Sequence, residues 1–139
     1  MKRILTAAFL LALWPMLPGH AGESLYMQLG GKAGVARIVA ESVAIWMADP
    51  RIEADFDNIN PDHLKMRLGE QICQIAGGPC VYRGRPMKAA HAALNLTQAK
   101  FNAVAEDVQT AMEHAGIPYR TQNRLLALLA PMQRDIAVR

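Results

Sequence analysis

Gly77-Gly78-Pro79 stands between two stretches of helical periodicity and forbids the simplest fold they allow, one long helix through the middle of the chain. Before it, Asn60 and Pro61 supply a cap and a proline at the first helical position. Leu64, Leu68, Ile72 and Ile75 then recur on one face up to Ala76. After it, a turn-rich linker ends in a short helix that presents His91 among Ala89, Ala90, Ala92 and Ala93. Neighbours this small leave flat space beside the imidazole, although a lone histidine is as a rule an ordinary core or surface residue.

The remaining periodic stretches are also helical. Leu25 to Leu29 reads as a one-turn helix halted by Gly30-Gly31. Lys32 to Met47 is predicted as a helix with Val35, Ile38, Val39, Ser42, Val43 and Trp46 on one face, ended by Asp49-Pro50. Arg51 to Phe56 forms a further turn. Thr97 caps a helix whose apolar face is Phe101, Val104, Ala105, Val108 and Met112, stopped by His114-Ala115-Gly116. A last helix from Thr121 carries Leu125, Leu128, Leu129, Met132 and Ile136 as its buried stripe, with Pro131 bending it. Aromatics make up only 6% of 139 residues while 52% are hydrophobic, which favours one all-α domain over a sheet.

The first 21 residues have the layout of a secretory signal: Lys2 and Arg3, the apolar run Ile4 to Leu13, then Gly19-His20-Ala21, with cleavage expected after Ala21. The run is short for a membrane anchor, and Pro15 and Pro18 interrupt it. The chain is therefore expected to be exported, to a periplasmic location, with residues 22–139 as the mature domain and no membrane attachment after cleavage. Without Lys2 and Arg3, thirteen basic residues face twelve acidic ones. No basic run alternates with aromatics, so a nucleic-acid partner has no support. Cys73 and Cys80 flank the glycine break; in an oxidising compartment they can close a small loop, the alternative being two free buried thiols. Their spacing does not suit a metal site, and no CxxCH marks a covalently attached haem.

Gly77-Gly78-Pro79, then Tyr82-Arg83-Gly84-Arg85-Pro86-Met87-Lys88-Ala89-Ala90-His91 with Leu94, then Phe101 ten residues beyond the histidine, resembles the group I truncated haemoglobins. The clipped opening helix followed by Gly30-Gly31 matches the same family, and the resemblance extends from about Ser24 to Asp135. It implies a two-over-two helical sandwich around non-covalent haem b, with His91 as the proximal iron ligand. It further implies haem contacts from Phe56, Leu64, Arg67, Leu68, Met87, Phe101, Val104 and Met132. Tyr82, Arg85 and Lys88 are expected at the haem edge, where cations pair with propionates.

The sequence departs from the family where bound ligand is held. Oxygen-binding members place a tyrosine on the first long helix and a glutamine on the distal helix, whereas the matching positions here are Val43 and Leu68, which cannot donate a hydrogen bond. The pocket is thus expected to be apolar unless Gln71, His63 or Arg67 turns inward, with His63 and Arg67 read as a solvent-facing pair near the propionates. The resemblance implies binding of oxygen, nitric oxide and carbon monoxide, with weak retention of oxygen and a possible redox partner. A nitric oxide dioxygenase or peroxidase-like enzyme comes second, because no acid-base group is identifiable in the pocket. The alternative of another class is an exported helical bundle that binds a protein partner and no haem.

Overall fold

The computed structural model describes residues 22–138 of the chain, so the expected signal segment lies outside the described residues. Within them the elements are helical throughout: α1 (Leu25–Gln28), α2 (Gly31–Trp46), a 3-10 turn at Glu53–Phe56, α3 (Pro61–Ile75), α4 (Met87–His91), α5 (Gln98–His114), α6 (Tyr119–Leu129), a 3-10 turn at Ala130–Met132 and α7 (Gln133–Ile136). Among the described residues there is no strand.

The long helix α2 is the hub, packing on α3 along one side and on α5 along another. Val35, Ile38, Val39, Val43 and Trp46 from α2 meet Ile72, Val108 and Met112 in one core, joined by Leu29 and Leu25 from the opening turn. The helix ends follow the sequence signals. Ser24 and Thr97 accept the Met27 and Lys100 N–H groups, and Asn60 Oδ1 accepts the N–H groups of Asp62 and His63 at 3.0 Å each. Helix α3 closes with Gly77 at φ 81°, which lets the Gly78 N–H reach the Cys73 carbonyl at 2.8 Å. The chain can then double back, and Cys73 and Cys80 face each other across the turn at disulfide distance, with their Cα atoms 5.7 Å apart.

Two expectations change at the C-terminal end. Pro131 does not bend a continuous helix; it ends α6 and forces a 3-10 turn before α7, because its ring excludes the regular helical hydrogen bond. Leu128 is not part of the buried stripe but is 42% exposed, and α6 buries Thr121, Gln122 and Leu125 instead. Gln122 is held by donating to the Ile117 carbonyl at 2.8 Å.

Candidate functional site

Helices α2 and α3, the short α4 and the long α5 enclose a cavity of about 480 Å³. That volume is in the range of small-molecule and cofactor pockets. Val39, Ser42 and Trp46 line it from α2, Leu64, Leu68, Gln71 and Ile72 from α3, and Phe101, Val104 and Val108 from α5. Met87, Ala90 and His91 form the α4 side, and Leu129, Met132 and Ile136 close the end. Phe56 stacks on Trp46 with ring centroids 5.6 Å apart and planes at 16°. Trp46 is pinned in turn by donating from Nε1 to the Val104 carbonyl at 3.2 Å, which ties α2 to α5. The turn carrying Phe56 is fixed by Arg51, which bonds Asp49 at 2.7 Å and Glu106 of α5 at 2.6 Å.

His91 Nδ1 lies 2.8 Å from the Met87 carbonyl oxygen. A carbonyl only accepts, so Nδ1 carries the proton and Nε2 is left as the nitrogen with a free lone pair. No other hydrogen bond to the ring is present among the described residues. This arrangement fits an imidazole that binds a metal through Nε2 while a backbone acceptor fixes its tautomer and orientation.

Besides Asp55, which pairs with Lys100 Nζ at 2.8 Å, the charged groups lining the cavity are cations. Arg67, Arg83, Arg85 and Lys100 line it together with Tyr82 and His63. Tyr82 donates to the Arg85 carbonyl at 2.8 Å, and a side chain at Gly84 would collide with the tyrosine ring, so the linker folds tightly over it. Glu70 anchors that linker to α3, accepting the Arg83 N–H at 3.1 Å and the Arg67 guanidinium at 2.8 Å. The Arg83 N–H foremost, and then Arg67, hold the Glu70 carboxyl below its ordinary value. A depressed acid stabilises the fold above its ordinary value of 4.5 and loses that contribution as pH falls through the folded value. Asp49, held low by Arg51, acts with the same sign, and Asp107, raised by burial, acts against it. The expected result is that Glu70→Gln flattens the loss of stability between about pH 5 and pH 3 in urea unfolding; an unaltered slope would mean that Glu70 does not hold the linker.

Of the candidate residues, Phe56, Leu64, Arg67, Leu68, Tyr82, Arg85, Met87, His91, Phe101, Val104 and Met132 all line this one cavity. Lys88 does not: it is exposed and outside the lining, because one residue beyond Met87 on α4 is rotated by about 100° from it. Val43 is also displaced from its expected place. It is 1% exposed in the helix core, and its neighbour Ser42 lines the cavity, with Oγ donating to the Ile38 carbonyl at 2.8 Å. The expectation of an apolar pocket is corrected at Gln71, which turns inward, 9% exposed, with Nε2 at 3.2 Å from Met87 Sδ and 3.6 Å from Met132 Sδ. His63 is exposed and Arg67 half-buried, with Arg67 Nε 3.4 Å from His63 Nε2, and both line the cavity. Trp46, Ile59, Arg83 and Lys100 were not singled out for the site. Only the resemblance to a haem fold gave residues around it a role; Arg83 stands at a variable position of the motif, and the other three lie outside it.

A slot with largely apolar walls, the His91 imidazole on its α4 side, and cations in its lining suits a flat macrocycle bearing carboxylates on one side. Comparison with known proteins agrees. The family model described as bacterial-like globin matches residues 24–138. The group 1 truncated hemoglobin of Mycolicibacterium paratuberculosis is 31% identical over 114 residues, 82% of this chain and 84% of that protein. The truncated hemoglobin of Tetrahymena pyriformis in its Fe(III) form superposes with a TM-score of 0.81 at 24% identity, covering 84% of this chain and all of that one. The 2/2 hemoglobin of Synechococcus sp., in the cyanomet state with covalently attached heme, gives a TM-score of 0.79 at 26% identity over the same shares.

Proposed function

Because the chain belongs to the bacterial-like globins, and among them to the group 1 truncated haemoglobins, we propose that its cavity holds haem b non-covalently on His91 and binds small diatomic ligands, with oxygen and nitric oxide foremost. The observation that carries this reading is the His91 imidazole, which lines a cavity of about 480 Å³ with its Nδ1 committed to the Met87 carbonyl and its Nε2 left without a hydrogen-bond partner among the described residues. When bound, the haem supplies an iron centre able to take a diatomic ligand. His91 would supply the proximal nitrogen, the apolar walls would exclude water, and Arg67, Arg85 and Lys100 in the lining would be the cations available to pair with the haem's carboxylates. Non-covalent attachment is favoured because the chain has no CxxCH and its two cysteines face each other. A reducing partner that keeps the iron ferrous belongs to the same reading.

The test is titration of the purified mature domain with hemin, followed by absorbance. One equivalent should produce a sharp Soret band that shifts on reduction and on addition of carbon monoxide. A protein that takes up no haem would return the chain to the class of exported helical interaction modules.

Export and cleavage after Ala21 complete the proposal, supported by the charged, apolar and small-residue order of the first 21 residues. Among the described residues no helix is long and apolar enough to cross a membrane. In protein recovered from the exported fraction, unreduced mass spectrometry should find residue 22 at the N-terminus and a Cys73–Cys80 crosslink. Reduction should cost about 2 kcal/mol, the loop-closure entropy of so short a ring. Two freely alkylated thiols in that fraction would refute the crosslink.

A further inference from the structure

Asp49 stands at the corner after α2 and Asp107 in the middle of α5, and their carboxyls come within hydrogen-bonding reach of each other. Both side chains are buried, 9% and 8% exposed. Arg51 is the cation bonded to both, at 2.7 Å to Asp49 and 3.5 Å to Asp107, and it also holds the exposed Glu106 at 2.6 Å. Three carboxyls thus share one guanidinium, and Asp107 Oδ2 is buried with no hydrogen-bond partner among the described residues. Charged groups on the neighbouring elements are engaged elsewhere. Arg37 and Glu41 of α2 bond Ala115 and His114 at the far end of α5, Lys100 bonds Asp55, and Arg124 of α6 bonds Gln28. Glu53 in the corner, Arg120 of α6, and Arg134 and Asp135 of α7 are exposed. Two buried carboxyls side by side resist double ionisation, and a proton kept on one removes a charge and gives the pair a donor.

The same corner forms part of the cavity wall. Ile52 fixes it in the core at 2% exposed, and Phe56 stacks on Trp46, which donates to the Val104 carbonyl of α5. Both rings line the cavity, and Val104 lies within one turn of Asp107. We propose that Asp49 and Asp107 share one proton and form a pH-sensitive latch on this wall: with the proton in place they draw the corner onto α5 and hold Phe56 and Trp46, and without it they repel and the wall loosens. Asp107 is the carrier, because burial first, and then the Asp49 charge, raise its carboxyl above the ordinary 3.8, whereas Arg51 holds Asp49 below it. A raised acid contributes stability that is complete below 3.8 and is lost as pH rises through the folded value, so the latch opens toward higher pH.

The chain has two tryptophans, Trp14 and Trp46, and Trp14 lies in the expected signal segment, so the mature domain carries a single indole. Its Nε1–H resonance, followed by NMR against pH in the ferrous carbon monoxide form, should shift with one inflection above pH 3.8. Asp107→Asn keeps the shape and neutrality of the protonated acid and should fix the resonance at its acid position. Carboxyl 13C titration of the wild type needs no variant to fold, and it should show Asp107 keeping its proton above 3.8 while Asp49 ionises below it. Haem release should accelerate about tenfold through the same transition in the wild type and stay flat in Asp107→Asn. An indole that does not move with pH, two aspartates that both titrate at or below 3.8, an Asp107→Asn domain that titrates like the wild type, or haem release indifferent to the transition would each overturn the latch. A domain that takes up no haem overturns the haem reading instead, and the indole and carboxyl titrations of the haem-free protein then decide the latch by the same outcomes.

Discussion

His91→Ala is expected to lower haem affinity by more than about 100-fold while leaving the fold intact. The two effects separate because the residue is half-buried at the end of a short helix and lies outside the core built by α2, α3 and α5. Removing it costs no core packing, so the thermal midpoint of the haem-free protein should stay within the range of an ordinary surface substitution, about 0.5 kcal/mol. What is lost is the one nitrogen whose tautomer the Met87 carbonyl fixes at 2.8 Å. His91→Gly opens a hole of imidazole size beside Ala90, and millimolar free imidazole should restore the Soret band there. Rescue distinguishes a missing ligand from a damaged pocket. An unaltered Soret band in His91→Ala would sink the assignment, because no other residue has been given the proximal role.

Much of this site could be read in the sequence because its parts come from one continuous stretch. The Gly77-Gly78-Pro79 break, the linker over Tyr82 and the small helix ending at His91 are local features, each fixed by a turn or a cap within a few residues. The errors arose where an azimuth decided the outcome. Ser42 and Val43 both sit on the buried side of α2, and which of them sees the cavity depends on how α2 is rotated between α3 and α5. Periodicity assigns a face of about 100° and cannot divide it between core and cavity. Lys88 lies outside the cavity lining for the same reason on α4. Gln71 is a different case, since a polar residue on an apolar stripe signals either a helix edge or a buried site. The choice was made by Met87 and Met132, sixteen and sixty-one residues further along the chain.

Gly34→Ala should be the most destabilising of the small substitutions in this chain, costing about 3 kcal/mol and lowering the thermal midpoint by about 10 °C. The reason is the corner between α1 and α2. Gly30 takes φ 94° and Gly31 φ 62°, which turns the chain so sharply that the first turn of α2 lies on the end of α1. A methyl group at Gly34 would fall on the Leu29 carbonyl oxygen, a backbone atom that cannot swing aside as a side chain would. Leu29 is itself fully buried in the core, so relief requires α1 to move as a unit. That helix is tethered by the Tyr26 N–H to the Ala76 carbonyl at the end of α3 and packs on α6, so the displacement spreads into elements that frame the cavity. Gly69→Ala is the matched control. It lies inside α3 with nothing within 4 Å of an added methyl, and it should stabilise the protein by about 0.5–1 kcal/mol through helix propensity. Urea unfolding of the two variants beside the wild type checks both signs, and a Gly34→Ala midpoint equal to that of the wild type would show that α1 does not approach α2 this closely.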